Sequence, residues 1–268
     1  MIRDITIGQY YPAKSILHRL DPRVKLVSTL LYLISLFLFK SSSGYLIATV
    51  FVVAVICMSK VPFSFIVNGL KPIILLLMIT VIFNLFLTKS GPVLCSFWIF
   101  TVTAGGLRTA VLMALRLVYL ILGSSLMTFT TTPNELTDGI EKLLGPLGKI
   151  HVPVHEIAMM MSIALRFIPI LLEETDKIMK AQIARGADFE SGSLLKRAKA
   201  MVPLLVPLFI SAFRRANDLA LAMEARCYRG GEGRTKMKPL IYQKTDYLAY
   251  VVLGFYVVIG IIVGRRIW

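Results

Sequence analysis

Between residues 22 and 132 the sequence contains no aspartate or glutamate. That absence argues against a carrier that holds its coupling proton or sodium on carboxylates inside the membrane. Sodium held by backbone carbonyls alone stays open. Charge is sparse throughout: 17% of residues are Asp, Glu, Lys or Arg, against about 25% in a typical soluble domain. Cysteine is sparse too. Cys57, Cys95 and Cys227 are odd in number and far apart, which points to neither a disulfide framework nor a metal cluster. His151 and His155 lie four apart, but two histidines do not complete a metal site, and they read as ordinary surface residues.

Catalytic signatures are missing as well. The glycines of "YRGGEGRTK" (228–236) lack the Lys-Ser/Thr ending and the preceding strand of a phosphate loop. There is no HExxH and no GxSxG. The chain therefore reads as a non-enzyme that binds no cofactor of its own. Its N-terminal segment, "MIRDITIGQYYPAKSILHRLDPRVK", has no apolar core followed by a small-residue cleavage site, so a cleaved signal peptide is not expected.

What the sequence has is apolar mass. Apolar residues make up 56% of it, and they gather in runs at 26–39, 45–58, 72–87, 109–131 and 247–264. Crossing ~30 Å of hydrocarbon takes about 20 residues. The last two runs suffice unaided, whereas the first three need their Ser, Gly and Pro flanks or a thinned bilayer. The fold class expected is an all-α polytopic membrane protein of about five spans. The formal charge of +15 sits mostly beside those spans, which assigns it to topology and anionic lipid rather than to nucleic acid. Arg3, Lys14, Arg19, Arg23 and Lys25 precede the first run, and Lys60 and Lys71 flank the 59–71 loop; the alternate loops carry only Lys40 and Lys89. By the positive-inside rule the N-terminus and the 59–71 loop are cytoplasmic, while "GRRIW" (264–268) is expected outside, against that rule. Arg116 is the one charge deep in a clear span. Snorkelling or a helix–helix hydrogen bond is the plainer reading, a transport role the other.

Residues 133–246 differ in kind. They hold thirteen of the fifteen acidic residues and seventeen of the thirty basic ones. Thr132, ahead of Pro133 and Glu135, suits a helix N-terminus, and Gly145-Pro146 suits its stop. Long helices are expected from about 154 to 185 and from about 193 to 229. A transmembrane hairpin of these two would carry Lys177, Lys180, Arg185, Lys196, Arg197 and Lys199 to the wrong side. Helices lying along the cytoplasmic face fit better. The expected division is a membrane domain at 1–132 with four spans, a cytoplasmic domain at 133–246 and a last span in 247–268.

Both long helices end alike, at "KIMKAQIARGADF" (177–189) and "LALAMEARCYRGGEG" (219–233). Ile178, Ala181, Gln182 and Arg185 share one helix face, as do Leu219, Ala222, Met223 and Arg226. Small alanines admit a partner's backbone, and the arginine offers a planar fork of five donors. The macrodipole favours any cation at a helix C-terminus by about 0.3–1 kcal/mol, which does not account for the matched alanines. A docking role and a purely structural one are both compatible with the residues alone.

These two triplets, with "LGSSLMTFTTTPNELTDGIEKLL" before them and "YRGGEGRTK" after, closely resemble the transmembrane coupling (T) component of energy-coupling factor transporters, ABC-type importers of vitamins and other micronutrients. The resemblance covers most of the chain. It implies two cytoplasmic ABC ATPase subunits as partners, holding the ATP and Mg²⁺, and a membrane-embedded S component that binds the substrate. It also implies that Ala184-Arg185-Gly186 and Ala225-Arg226-Cys227 dock in grooves on the two ATPases. Cys227 departs from the glycine usual there, and Gly230-Gly231 are the expected substitutes for reversing the chain. Met159, Met160 and Met161, with the proline-broken run around Pro203 and Pro207, offer an adaptable apolar surface for the S component; core packing is the rival reading. A plasma-membrane location follows from the same resemblance. A self-contained carrier and a non-transporting membrane scaffold are the alternatives.

Overall fold

The computed structural model describes residues 10–39, 41–88, 90, 92–97, 100–189, 193–231, 237 and 239–266. Arg3, Lys40, Lys89, residues 232–236 of the glycine-rich segment and the final Ile267-Trp268 lie outside the described residues. In chain order the elements are α1 (Ile16–Arg19), α2 (Pro22–Leu38), α3 (Ser42–Ser59), α4 (Phe63–Leu70), α5 (Ile74–Leu87), β1 (Val93–Phe97) and β2 (Phe100–Thr103). Then come α6 (Ala104–Thr130), α7 (Pro133–Leu144), α8 (Val154–Ala184), α9 (Leu194–Ala225) and α10 (Lys244–Arg266). They form two compact units, one of Gly8–Gly139 with Leu240–Trp268 and one containing Ile140–Pro239.

Among the described residues α3, α6, α8 and α10 are each long and apolar enough to cross a bilayer, and the α4–α5 pair, bent by 61°, is a fifth candidate. The bend falls at the 3₁₀ turn Lys71–Ile73, where Pro72 has no amide hydrogen to continue the helical ladder. The third apolar run is therefore longer than its 72–87 core suggests, beginning at Phe63. Helix α2 has 17 residues, about 25 Å, and needs its flanking turns to reach across. This is an all-α polytopic membrane protein with one unexpected addition. Between α5 and α6 a short antiparallel ribbon pairs Val93 with Thr103 and Phe97 with Phe100.

Helices α2, α3, α6 and α10 share the core of the first unit, where Tyr32, Leu36, Phe39, Tyr45, Val52, Tyr119 and Tyr256 are buried. Between spans there is little water to expel, so association rests on close fit and hydrogen bonds. The rings of Phe51 and Tyr256 stack at 4.2 Å, with Phe39 edge-on to Tyr256 at 5.8 Å. The Tyr32 hydroxyl donates to the Tyr119 carbonyl at 3.1 Å, and the Tyr119 and Thr49 hydroxyls are 2.6 Å apart. Arg116 joins this network: its Nε donates to Tyr45 Oη at 2.6 Å and its Nη2 to the Phe39 carbonyl at 3.4 Å. Helix–helix hydrogen bonding accounts for this arginine.

At the opposite end of α2 a buried polar clasp ties distant parts of the chain together. Asp246 is 1% exposed; its Oδ1 accepts from the Asp21 amide at 2.9 Å and its Oδ2 from the Gln243 amide at 2.7 Å. Arg23 grips Asp21 with two donors, at 3.0 and 2.7 Å, donates to the Leu240 carbonyl and lies 4.0 Å over the Tyr242 ring. Lys25 Nζ donates to the Thr130 carbonyl at 2.8 Å, at the end of α6, and to the His18 carbonyl. Burial alone would raise the Asp21 pKa, but the hydrogen bonds and charge of Arg23, with Lys25 behind, hold it below the ordinary carboxylate value. Two of the basic residues read as topology signals are thus internal fasteners as well.

Candidate functional site

Helix α7 starts where Thr132 and Glu135 cap each other: the Thr132 amide donates to Glu135 Oε2 at 3.1 Å and the Glu135 amide to Thr132 Oγ1 at 3.3 Å. This reciprocal capping box fixes the helix start. After the 3₁₀ turn Gly145–Ile150, α8 and α9 run for 31 and 32 residues. Helix α8 is mostly apolar in its first half and charged in its second, whereas α9 opens on Lys196, Arg197 and Lys199, has an apolar middle and carries Arg214, Arg215, Asp218 and Glu224 toward its end. Pro169 lies inside α8, and Pro203 and Pro207 inside α9.

The two helices pair in opposite directions. Arg215 Nη2 meets Glu174 Oε2 at 3.0 Å, and Gln182 Nε2 reaches the Pro203 carbonyl at 3.5 Å. Advancing along α8 thus means retreating along α9. Arg185 lies 11 residues beyond Glu174 (185 − 174), and Arg226 lies 11 beyond Arg215 (226 − 215). Each arginine is therefore about 16 Å from the ion pair, at 1.5 Å per residue, and the antiparallel pairing sends them in opposite directions. The offset of 41 residues between Arg185 and Arg226 also relates Glu173-Glu174 to Arg214-Arg215. The charge match is visible in the sequence, but only the fold makes it a contact.

The two tips are built alike. At the first, the Gly186 amide donates to the Ile183 carbonyl at 2.9 Å and the Ala187 amide to the Gln182 carbonyl at 3.0 Å. At the second, the Cys227 amide donates to the Glu224 carbonyl at 2.8 Å and the Tyr228 amide to the Met223 carbonyl at 3.0 Å. Gly186 has φ +87° and Cys227 φ +56°, so both take the left-handed conformation that ends a helix and satisfies its orphan carbonyls. Cysteine performs the reversal that was expected to pass to Gly230-Gly231. Helix α9 accordingly ends at Ala225, not near 229. Arg185 and Arg226, with Ala184 and Ala225 before them, are exposed. Among the described residues neither guanidinium has an ion-pair or hydrogen-bond partner.

Met160 and Met161 are exposed and Met159 is half-buried; Pro203 and Pro207 are exposed, together with Val202, Leu205, Val206, Phe209 and Phe213. Exposed apolar residues in such groups mark an interaction site or contact with lipid. His151 is exposed, as read from the sequence. His155 is not a free surface residue: its Nδ1 donates to Glu141 Oε1 at 3.1 Å, and a Cβ at position 231 would run into its ring. Glycine at 231 thus lets the segment after the second tip pack on α8. Among the described residues no group of three or more metal-ligating side chains comes together.

The family model described as CbiQ, cobalt transport protein, matches residues 13–237. The energy-coupling factor transporter transmembrane protein EcfT of Clostridium kluyveri is 57% identical over 269 residues, covering 100% of this chain and 99% of the relative. That of Thermosediminibacter oceani is 51% identical, with 100% of both chains covered. The Bacillus subtilis protein of the same name is 52% identical over 246 residues, covering 92% and 93%.

The chain belongs to this family.

It is a multi-pass membrane component of an energy-coupling factor transporter, as the matched CbiQ region and the apolar helices together require. The CbiQ match includes α8 and α9 with both arginine tips. The EcfT relatives from C. kluyveri and T. oceani extend the similarity through α10.

Proposed function

We propose that this protein is the coupling subunit of the transporter, passing ATP-driven motion of two cytoplasmic ATPase subunits to a substrate-binding S component. The observation that carries the reading is the pair of exposed arginines, without a partner among the described residues and each 11 residues past one ion pair, on helices that share a cap geometry. Two matched tips suit two related partner grooves. In each groove the guanidinium meets carboxylates or the carbonyls of a helix end, and Ala184 or Ala225 lets that surface come close. ATP and Mg²⁺ belong to the ATPases; the coupling subunit does no chemistry.

Closure of the ATPases displaces the tips relative to each other, and stiff helices of about 45 Å transmit the displacement along their length. The Glu174–Arg215 contact lies midway between the tips and acts as the pivot. Met159, Met160 and Met161 in the first half of α8 and Pro203 and Pro207 in the first half of α9 lie on opposite sides of that contact, and each group presents the S component with apolar surface that repacks as it tilts. In this reading residues 133–246 are cytoplasmic, between a membrane domain at 1–132 and a last span in 247–268, and the N-terminus is cytoplasmic too. Helix α8 is apolar enough to span, but the cations beyond it keep it at the face of the plasma membrane. Uptake of a vitamin or related micronutrient is the transport served.

The test is purification of the full chain from its native membrane in a gentle detergent. Two ATPases and a small, very hydrophobic protein in the same peak support the proposal. A chain that purifies alone and transports a solute in proteoliposomes without ATP contradicts it.

A further inference from the structure

The unit of Gly8–Gly139 with Leu240–Trp268 carries a groove of its own. Helices α3 and α6 pack against each other and start at the same end of the bundle. Between them runs a cavity of about 630 Å³, within the range of small-molecule sites. Its polar end holds Ser42, the first residue of α3, and Arg108, in the first turn and a half of α6. Its walls are Leu46 and Val50 on one side and Leu107, Val111 and Leu115 on the other. Leu46, Val50, Leu107 and Val111 are between 46% and 66% exposed, so the cavity opens sideways as a groove.

Arg108 is exposed, and among the described residues it has no hydrogen-bond or ion-pair partner. No carboxylate exists anywhere between residues 22 and 132 to supply one. Arg116, two turns further along α6, does not compete for an anion, because Tyr45 and the Phe39 carbonyl occupy it. The positive ends of two helix dipoles reinforce the charge at the same point. The first amides of α6 are already bonded, to the Pro92 and Ser90 carbonyls and to Thr103 Oγ1, so the side chain of Arg108 is the principal donor left.

From these features we infer that the α3–α6 groove binds an anionic phospholipid, with its phosphate on Arg108 and Ser42 and one acyl chain laid between Leu46, Val50, Leu107 and Val111. Length decides for a lipid over a partner helix. Ser42 to Val50 is eight residues, about 12 Å, close to the ~15 Å of hydrocarbon in a single leaflet; a spanning helix needs a groove twice as long. Charge decides for an anionic headgroup over a zwitterionic one. Guanidinium and phosphate pair through two donors, whereas the ammonium of an ethanolamine or choline headgroup meets no carboxylate here.

The experiment is native mass spectrometry of the full chain, purified with its partners and equilibrated with equal amounts of phosphatidylglycerol and phosphatidylethanolamine. The expected result is one retained phosphatidylglycerol per chain in preference to phosphatidylethanolamine. Arg108→Gln should lower that retention about fivefold, the effect of one interfacial cation, and Arg108→Lys should keep most of it. Val111→Trp, which fills the groove, should remove both lipids. Equal retention of the two lipids, or undiminished phosphatidylglycerol on Arg108→Gln, overturns the inference. So does a Val111→Trp chain that loses a protein partner and keeps its lipid. The arginine-tip reading is untouched by either result, since neither tip is altered.

Discussion

Gly186 and Cys227 hold the same left-handed backbone conformation, 41 residues apart, at the ends of different helices. In both, the amide of the reversing residue and the amide after it close the last turn. Glycine does this without steric cost, whereas a side chain there brings its Cβ against the carbonyl, at about 1 kcal/mol. The second tip therefore carries a strain that the first does not.

Removing that strain should stabilise the protein. Cys227→Gly should gain about 0.5 kcal/mol, less than the full strain because glycine also frees the unfolded chain. Cys227→Val, branched at Cβ, should lose about 1 kcal/mol or more. Thermal unfolding of the assembled transporter reads both, and ATPase co-purification should follow the same order.

The pivot can be tested by exchanging its charges. Glu174→Arg alone sets two arginines against each other and should reduce uptake, and Arg215→Glu alone should do the same with two carboxylates. The double variant Glu174→Arg/Arg215→Glu should recover most of the activity. Because Arg215 is 40% and Glu174 25% exposed, the stability change of each single variant is expected to be modest, about 0.2–1 kcal/mol. Uptake measured per assembled complex separates coupling from stability.

The clasp at the start of α2 gives the protein an acid-sensitive fastener. The Asp21 pKa is lower in the folded protein than its ordinary value of 3.8. Its contribution is therefore complete above that value and is lost as pH falls through the lower, folded one. Asp21→Asn should flatten the acid limb of the stability curve and leave the neutral region lower. Asp246→Asn should cost about 2 kcal/mol at neutral pH, because one of its two acceptor oxygens becomes a donor facing an N–H. Unfolding midpoints measured across pH 3 to 7 distinguish the two.

Much of this architecture was legible in the residues because the features concerned are local. Thr132 and Glu135 have the three-residue spacing of a capping box, and they form one. The long helix beginning at Val154 was readable from continuous helix-compatible sequence, with Pro169 not enough to stop it. The end of α9 is not legible in the residues, because a positive φ is unusual for cysteine and depends on the bonds around it. The β-ribbon has no clear signature in the sequence, because Val93–Phe97 and Phe100–Thr103 are short and adjoin strong apolar runs. The clasp was hidden for a different reason: Asp21 and Asp246 are 225 residues apart, and no periodicity in sequence reports such a contact. Arg23 and Lys25 obey the positive-inside pattern, which masked their second use.

The account's central claim is that Arg185 and Arg226 are the grips by which ATPases move this subunit. Its most direct test is pull-down of the partner ATPases by a membrane-inserted Arg185→Glu/Arg226→Glu double variant, with uptake measured in the same cells. The expected result is a chain inserted at normal levels that retains little ATPase and supports little uptake, each single variant being intermediate. A double variant that still holds its ATPases and supports full uptake would contradict the claim.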